Sequence, residues 1–272
     1  MRRLSDSGTA VITGAASGLG RAVAASLARS GWRLALVDLP AAADSCEGVA
    51  ELARSHGGQA VVEPFDVRDA EAWRRLHDRL RGEWPTCDLV VNSAGVGAAG
   101  LVGTLPATQW RRVIDTNLVG TALGCETFVP WLRSHPGRSQ LVNVASIAGI
   151  IAPAAMAAYS ASKAGVIALS ESIAAECPRG RPGVTIVCPG FFRSGLLDTW
   201  HFTSALAARE AVRRMEGSWW TSEAIADRVL AAARRNRRYV VVGPTARWLW
   251  RLKRLAPASV TALMRLAYAR LR

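Results

Sequence analysis

Seven short β-prone runs alternate with stretches of helical periodicity, and this alternation narrows the fold before any other feature is considered. The runs are Thr9–Thr13, Arg33–Asp38, Ala60–Asp66, Asp88–Asn92, Gln140–Ser146, Val184–Cys188 and Tyr239–Val242. Between them, apolar residues recur at helical spacing, as in Leu19, Val23 and Leu27 or Trp73, Leu76 and Leu80. Further helices are expected over 45–56, 107–133, 157–177 and 223–236, with a glycine-rich loop at 93–100. Strands separated by helices of this length imply βαβ units, hence a parallel sheet with helices on both faces. The fold class is therefore α/β, a doubly wound, mostly seven-stranded parallel sheet. Pro64 lacks an N–H to donate, which places the third strand near an edge or shortens it. No linker or repeat divides residues 1–243, read as one domain with a lid at about 191–220; residues 244–272 form a helical C-terminal extension.

Composition removes several alternatives. Half of the 272 residues are apolar, enough for a sizeable core. The longest apolar stretches are broken well short of the ~18 residues a membrane-spanning helix requires. Met1-Arg2-Arg3-Leu4 is followed by Ser5-Asp6-Ser7-Gly8, not by an apolar run, so no export signal is expected. Five cysteines, odd in number and without a CxxC pair, argue against a disulfide framework or a zinc site, and no metal is expected. They suit a reducing cytoplasm. The net charge of +13 is concentrated at one end. From Val229 onward there are eleven Arg and Lys and no Asp or Glu; removing those eleven leaves +2 for the body. A nucleic-acid-binding body is therefore not expected.

Gly14, Gly18 and Gly20 lie between the first strand and the first helix, in the segment Thr13-Gly-Ala-Ala-Ser-Gly-Leu-Gly20. Glycines there permit a tight turn and close approach of a ligand, and the helix N-terminus favours a pyrophosphate. Asp38 ends the second strand eighteen residues beyond Gly20, where a carboxylate can accept hydrogen bonds from a ribose 2′-hydroxyl. It would repel a 2′-phosphate. Arg33 lies at the other end of that strand, roughly 16 Å away at ~3.3 Å per residue. The expected cofactor is NAD, with NADP disfavoured.

Of 34 basic residues only two are lysine, Lys163 and Lys253, so a lysine marks a position where arginine does not serve. Lys163 follows Tyr159 by four residues, on one helical face. An ammonium beside a phenol stabilises the phenolate and is expected to lower its pKa from ~10 towards working pH. Such a group can exchange a proton with an alcohol or carbonyl oxygen. Ser146 ends the preceding strand, at the edge of the sheet where ligands bind, and can point at the same oxygen.

Taken together, these residues resemble the short-chain dehydrogenase/reductase family over about residues 8–242. The matching motifs are TGAASGLG (13–20), Asp38, Asp66-Val67, NSAG (92–95), Asn117, Ser146, YSASK (159–163) and PGFFRS (189–194). The resemblance implies a Rossmann fold and an NAD-dependent oxidoreductase interconverting a secondary alcohol and a ketone. It implies Tyr159 as acid/base, Lys163 as its tuner and ribose ligand, Ser146 as orienter of the substrate oxygen, and Asn117 as holder of a relay water. It also implies cofactor contacts at Thr13, Gly14, Ser17, Gly18, Leu19 and Gly20, at Asp38, Asp66 and Val67, and at Asn92, Ala94 and Gly95. On the nicotinamide side it adds Pro189, Gly190, Phe192 and Ser194. Ser93 and Ser194 depart from the usual Asn and Thr, each by a small polar exchange. A non-catalytic dinucleotide-binding sensor or scaffold is the rival reading, disfavoured because all four catalytic positions are filled.

Phe191, Phe192, Leu196, Leu197, Trp200 and Phe202 point either to a bulky hydrophobic substrate or to packing of the lid onto the body. In the extension, 245–256 is amphipathic, with Trp248, Leu249, Leu252 and Leu255 on one arc and Arg247, Arg251 and Arg254 along the opposing edge. A second helix is expected over 259–271. The apolar arc leaves three occupants open: the body or a neighbouring subunit of a homo-oligomer (dimer or tetramer), an anionic membrane surface touched peripherally by 245–272, or nucleic acid as the least favoured.

Overall fold

The computed structural model describes residues 7–177, 180–193 and 199–269. Seven parallel strands form one sheet: β1 (Thr9–Thr13), β2 (Arg33–Asp38), β3 (Gln59–Pro64), β4 (Leu89–Asn92), β6 (Gln140–Val144), β7 (Gly183–Cys188) and β9 (Tyr239–Val241). Their order is β3-β2-β1-β4-β6-β7-β9, so the chain winds outward in both directions from β1 and β4. That reversal leaves a crevice at the carboxyl ends of these two strands, where open α/β sheets bind ligands. Strand β3 lies at the edge, one of the two outcomes its proline allowed, with Pro64 paired to Asp38.

Each strand is apolar on both sides because each face of the sheet is covered. One face carries α1 (Gly18–Ala28), α2 (Ala43–Ser55) and α9 (Ser222–Arg234), through Leu19, Val23, Leu27, Ile225 and Val229. The other carries α3 (Ala70–Glu83) and α5 (Gly120–Arg133), where Trp73, Leu76, Leu80, Phe128 and Leu132 meet the sheet. Asp69 caps α3, accepting hydrogen bonds from the Glu71 and Ala72 N–H groups at 2.9 and 3.0 Å.

The stretch expected as a single helix over 107–133 is interrupted. It runs as α4 (Ala107–Ile114), a π-helical turn over Asp115–Val119, and α5. The wider turn falls on Asn117, and such bulges commonly mark functional positions. A second, two-stranded parallel sheet joins β5 (Ala98–Ala99) to β8 (His201–Phe202), tying the glycine-rich loop to the lid. Two-residue strands leave no periodicity to read, and neither was expected.

In the extension, α10 (Pro244–Leu255) and α11 (Pro257–Ala269) fold back onto α6 (Ala148–Ile151). Ala246 and Val260 are buried against Ile147 and Ile151, with Leu249, Trp250, Leu252 and Met264 beside them. The expected arc is thus divided: Leu249 and Leu252 face the body, whereas Trp248 and Leu255 are 55% and 85% exposed. Arg254 leaves the expected basic edge as well and lies over the rings of Trp250 and Tyr239, 4.7 and 5.6 Å from their centroids. Among the described residues no helix is long and apolar enough to cross a membrane.

Candidate active site

The glycine turn closes the crevice at its β1 end. Gly14 and Gly18 adopt positive φ, and a Cβ on Gly14 would stand 2.9 Å from the Ala94 nitrogen. A Cβ on Gly20 would stand 2.2 Å from the Gly14 carbonyl oxygen, so the first turn of α1 can lie this close only with glycine. Ser17 precedes α1 in an extended conformation and makes no side-chain cap, leaving the N–H groups at the helix start to an incoming anion. Leu19 is buried and anchors the helix to the sheet. The turn is strapped to its neighbours. The Ala15 N–H donates to the Val37 carbonyl at 3.2 Å, and Thr13 Oγ1 accepts from the N–H groups of Ser93 and Ala94 at 3.0 Å. Asp38 accepts from the Ala16 N–H through Oδ2 at 2.9 Å and from its neighbour Leu39 through Oδ1 at 2.8 Å. Its carboxylate is fixed at the rim with further lone pairs to offer. A cradle that admits no Cβ, an uncapped helix start and a rim carboxylate fit a dinucleotide.

Further along, Asp66, Arg68, Asp69, Asp115 and Val119 line an open cavity of about 430 Å³. Arg68 Nε donates to Asp66 at 2.9 Å, and this pairing holds the Asp66 carboxyl below its ordinary range. Val67 turns inward instead, its side chain against Gly120, where a Cβ would meet it at 2.7 Å. Asn92 is buried and donates to Asn143 Oδ1 at 2.8 Å; Asn143 donates onward to Ser170 Oγ at 2.9 Å. This chain ties β4 and β6 to the helix that bears the tyrosine. Asn143 and Ser170 escaped the sequence reading, although a polar residue inside an otherwise apolar strand is a usable signal.

Helix α7 (Ala157–Ala175) carries Tyr159 and Lys163 on one buried face. The Lys163 ammonium lies 5.9 Å from the Tyr159 ring centroid and donates to the Val144 carbonyl at 2.8 Å. Ser146 is buried two residues beyond β6, where its hydroxyl accepts from the Ala148 N–H at 3.1 Å and favours the ionised form of the Tyr159 phenol. Asn117, fully buried on the π turn, accepts from the Val96 N–H at 2.8 Å and donates to the Val96 carbonyl at 2.9 Å and to Ser162 Oγ at 3.0 Å. Its side chain thus clamps the loop after Gly95. A Cβ on Gly95 would lie 3.1 Å from Asn117 Oδ1 and 3.4 Å from Lys163 Nζ, so these three residues meet. Ser162, unassigned from the sequence, is the link between Asn117 and the tyrosine helix.

One expectation needs correction. The phenol of Tyr159 is not acidified in this structure: burial pushes it up to about 12, and the Ser146 hydrogen bond offsets only part of that. Burial equally pulls Lys163 down to about 8. Withdrawal from water is the largest cause of both shifts.

On the nicotinamide side, the Pro189 carbonyl accepts from the Ile147 N–H at 2.9 Å, which fixes the strand end next to Ser146. Gly190 follows it, its nearest potential Cβ neighbour the Val242 carbonyl at 3.8 Å. The Phe192 side chain joins the core that includes Leu19 and Ile225, so it anchors the lid and does not wall a substrate site. Ser194, Leu196 and Leu197 lie outside the described residues. Trp200 does reach the centre, with its ring centroid 5.2 Å from that of Tyr159 and 5.5 Å from that of Phe202.

Comparison with known proteins agrees with this geometry. Residues 8–203 match the family described as short chain dehydrogenase. A Mycobacterium tuberculosis protein named probable oxidoreductase EphD is 31% identical over 94% of this chain, which spans only 44% of that relative's length. Cis-4-hydroxycyclohexanecarboxylate dehydrogenase of Sinomonas cyclohexanicum is 34% identical, over 80% of this chain and 87% of that protein. A short-chain dehydrogenase/reductase from Burkholderia phymatum, solved in complex with NAD, superposes with a TM-score of 0.86 at 28% identity, over 93% of this chain and 95% of that one. The glycine cradle, the Ser146–Tyr159–Lys163 cluster and these matches together make the chain a member of the short-chain dehydrogenase/reductase family of oxidoreductases.

Proposed function

We propose that the protein is an NAD(H)-dependent oxidoreductase that interconverts a secondary alcohol and a ketone on a bulky hydrophobic skeleton. The observation that carries the reading is the convergence of Ser146, Tyr159 and Lys163 beside the glycine cradle. When bound, the nicotinamide supplies the hydride chemistry. Tyr159 takes the proton from the substrate hydroxyl during oxidation and returns it to the carbonyl oxygen during reduction. Ser146 holds that oxygen within reach of the phenol, and the Lys163 ammonium opposes the negative charge that develops there. Asp38 favours a ribose with a free 2′-hydroxyl, which supports NAD over NADP. The aromatic pair Trp200 and Phe202 supports an apolar substrate, as does the alicyclic alcohol for which the Sinomonas relative is named.

Tyr159→Phe removes the proton donor and leaves the cradle intact. Turnover should fall about 10²–10⁴-fold while NADH binding, followed by fluorescence, stays within a factor of two or so. A variant as active as wild type would refute the assignment, and an NADH-absorbance screen of hydrophobic alcohols and ketones, repeated with NADPH, provides the substrate for the assay.

For the extension we propose peripheral contact with an anionic membrane from the cytoplasmic side by a homo-oligomeric enzyme. Supporting this are the exposed Trp248, Leu255 and Leu266 among arginines in an acid-free segment. Full-length protein should co-sediment with phosphatidylserine-containing vesicles in a salt-sensitive manner, and a chain ending at Pro244 should not. Equal sedimentation of both would overturn the membrane contact, and a change in oligomeric state on truncation would assign the face to subunit packing instead.

A further inference from the structure

Ser146 is held from two directions. The inner support is the sheet, where the Ala145 N–H donates to the Val187 carbonyl at 2.8 Å and the Ile147 N–H to the Pro189 carbonyl at 2.9 Å. The outer support is α6, which follows Ser146 and whose Ala148 N–H donates to Ser146 Oγ at 3.1 Å. Helix α6 has four residues, far below the ~12–15 at which an isolated helix becomes even marginal in water, so tertiary contacts must keep it formed. It ends at Ala152 in the left-handed region, with φ 47°, and Ala155 beyond it has φ 59°. Residues with a Cβ adopt such conformations only where their surroundings impose them. Against α7 the helix lies so close that a Cβ on Gly149 would stand 2.6 Å from the Lys163 carbonyl carbon. Ile147 and Ile151 are each two residues from Gly149, and so on the far side of the turn. There they enter an apolar cluster with Ala246 and the fully buried Val260. Apart from residues 147–151 and Val241 of β9, every side chain in that cluster belongs to the C-terminal extension.

We infer that the C-terminal extension is part of the framework of the active site: Ala246 and Val260 are positioning residues that hold Ser146 in place through Ile147 and Ile151. What Ser146 does there is taken from the dehydrogenase reading, on which this inference rests. The role belongs to the buried face of α10 and α11 and is separate from the exposed face that carries Trp248 and Leu255. Its physical basis is a short lever. Ile147 is the residue next to Ser146, so a shift of its side chain turns the Ser146 backbone. A close-packed interior transmits such a shift instead of absorbing it. Misplacement of a reacting group by about 1 Å can cost on the order of a hundredfold in rate.

The test uses the full-length chain. Val260→Ala removes two methyl groups from the contact with Ile147 and Ile151, and the site relaxes only partly around the space they leave. Turnover of the alcohol at saturating cofactor should fall about tenfold, while NADH affinity stays within a factor of two or so and circular dichroism keeps the wild-type fold. In a Ser146→Ala background the same substitution should cost nothing further, because residues that act through one another are not additive. Leu263→Ala, on the exposed side of the same helix, should leave turnover unchanged. Undiminished kcat in Val260→Ala, or a loss that multiplies with that of Ser146→Ala, would overturn the inference. Hydrogen exchange read by mass spectrometry needs no turnover and keeps the two readings apart. In Val260→Ala the amides of 147–152 should lose protection about tenfold while those of 13–20 keep theirs. Unchanged exchange at 147–152 would sink the inference with the dehydrogenase reading intact. A fully active Tyr159→Phe would sink that reading and leave the exchange result standing.

Discussion

The two ends of the active crevice are built in different ways. At the glycine turn, the segment 13–20 is stitched into the seven-stranded sheet through the Val37 carbonyl, the Asp38 carboxylate and the Thr13 hydroxyl. At the lid, residues 199–203 are held by a two-stranded sheet with 98–99, one hydrogen bond from Arg112 and the tilted contact of Trp200 with Tyr159. The first end is part of the core and cannot move without disturbing the sheet. The second rests on a few local contacts, the kind that open at low free-energy cost. A shape common to every dinucleotide thus sits on the rigid side, and the variable task of substrate choice sits on the detachable one.

A matched pair of substitutions breaks this comparison most sharply. Gly20→Ala puts a methyl group 2.2 Å from a backbone oxygen that cannot yield, whereas Gly97→Ala puts one 1.9 Å from an indole that can swing away. Gly20→Ala should weaken NADH binding about a hundredfold or more, the scale on which small displacements in a preorganised site are felt. Gly97→Ala should leave NADH affinity unchanged and lower kcat/KM for the alcohol about tenfold by unseating Trp200. Isothermal titration and steady-state kinetics on the two variants, with circular dichroism to verify folding, separate these effects. If Gly97→Ala also weakened NADH binding, the two ends would form one mechanical unit.

The same division governs what could be read from the sequence. All seven strands of the main sheet were legible because buried parallel strands are apolar runs between turn residues, and the edge position of β3 was one of the two outcomes Pro64 allowed. The glycine cradle was legible because its steric demand admits only one residue type. The lid was not. β5 and β8 are two residues each, and nothing in the sequence distinguishes Trp200, which packs against Tyr159, from Phe192, which enters the core. Nor could it set the balance between attraction and desolvation at Tyr159 and Lys163, because that depends on how much water the fold removes. The clamp formed by Asn117 required a π turn, a backbone event without a residue signature.

A smaller effect sharpens the cofactor side. Asp38→Asn preserves an oxygen acceptor for the Ala16 N–H and removes the negative charge facing the ribose. On the NAD preference proposed above, the ratio of kcat/KM for NAD to that for NADP should fall about tenfold, since one charge-assisted hydrogen bond and one repulsion are lost. An unchanged ratio would show that another part of the crevice selects the cofactor.

The gentlest perturbation concerns the junction of the two ends, where Lys163 stands 5.9 Å from the Tyr159 ring. In the proposed mechanism phenolate is the base in oxidation, so the rate should climb as pH rises towards the phenol's pKa, which burial raises to about 12 in the structure. The ketone reduction, which uses the protonated phenol, should be flat across the neutral range. Lys163 has its own pKa lowered to about 8, so it is an ammonium below that pH and progressively an amine above it. While charged it favours phenolate. Lys163→Met removes that charge, so below about pH 8 oxidation should slow about tenfold for a screened charge at this separation. Above that pH, where the native lysine is already an amine, the two profiles should converge. The comparison is made at saturating cofactor, which removes the lysine's part in ribose binding from the readout. A deficit confined to low pH means that the lysine tunes the phenol electrostatically across the junction despite the burial of both. A deficit of equal size at every pH would confine Lys163 to the cofactor side and leave Ser146 as the one group among the described residues that adjusts the acidity of Tyr159.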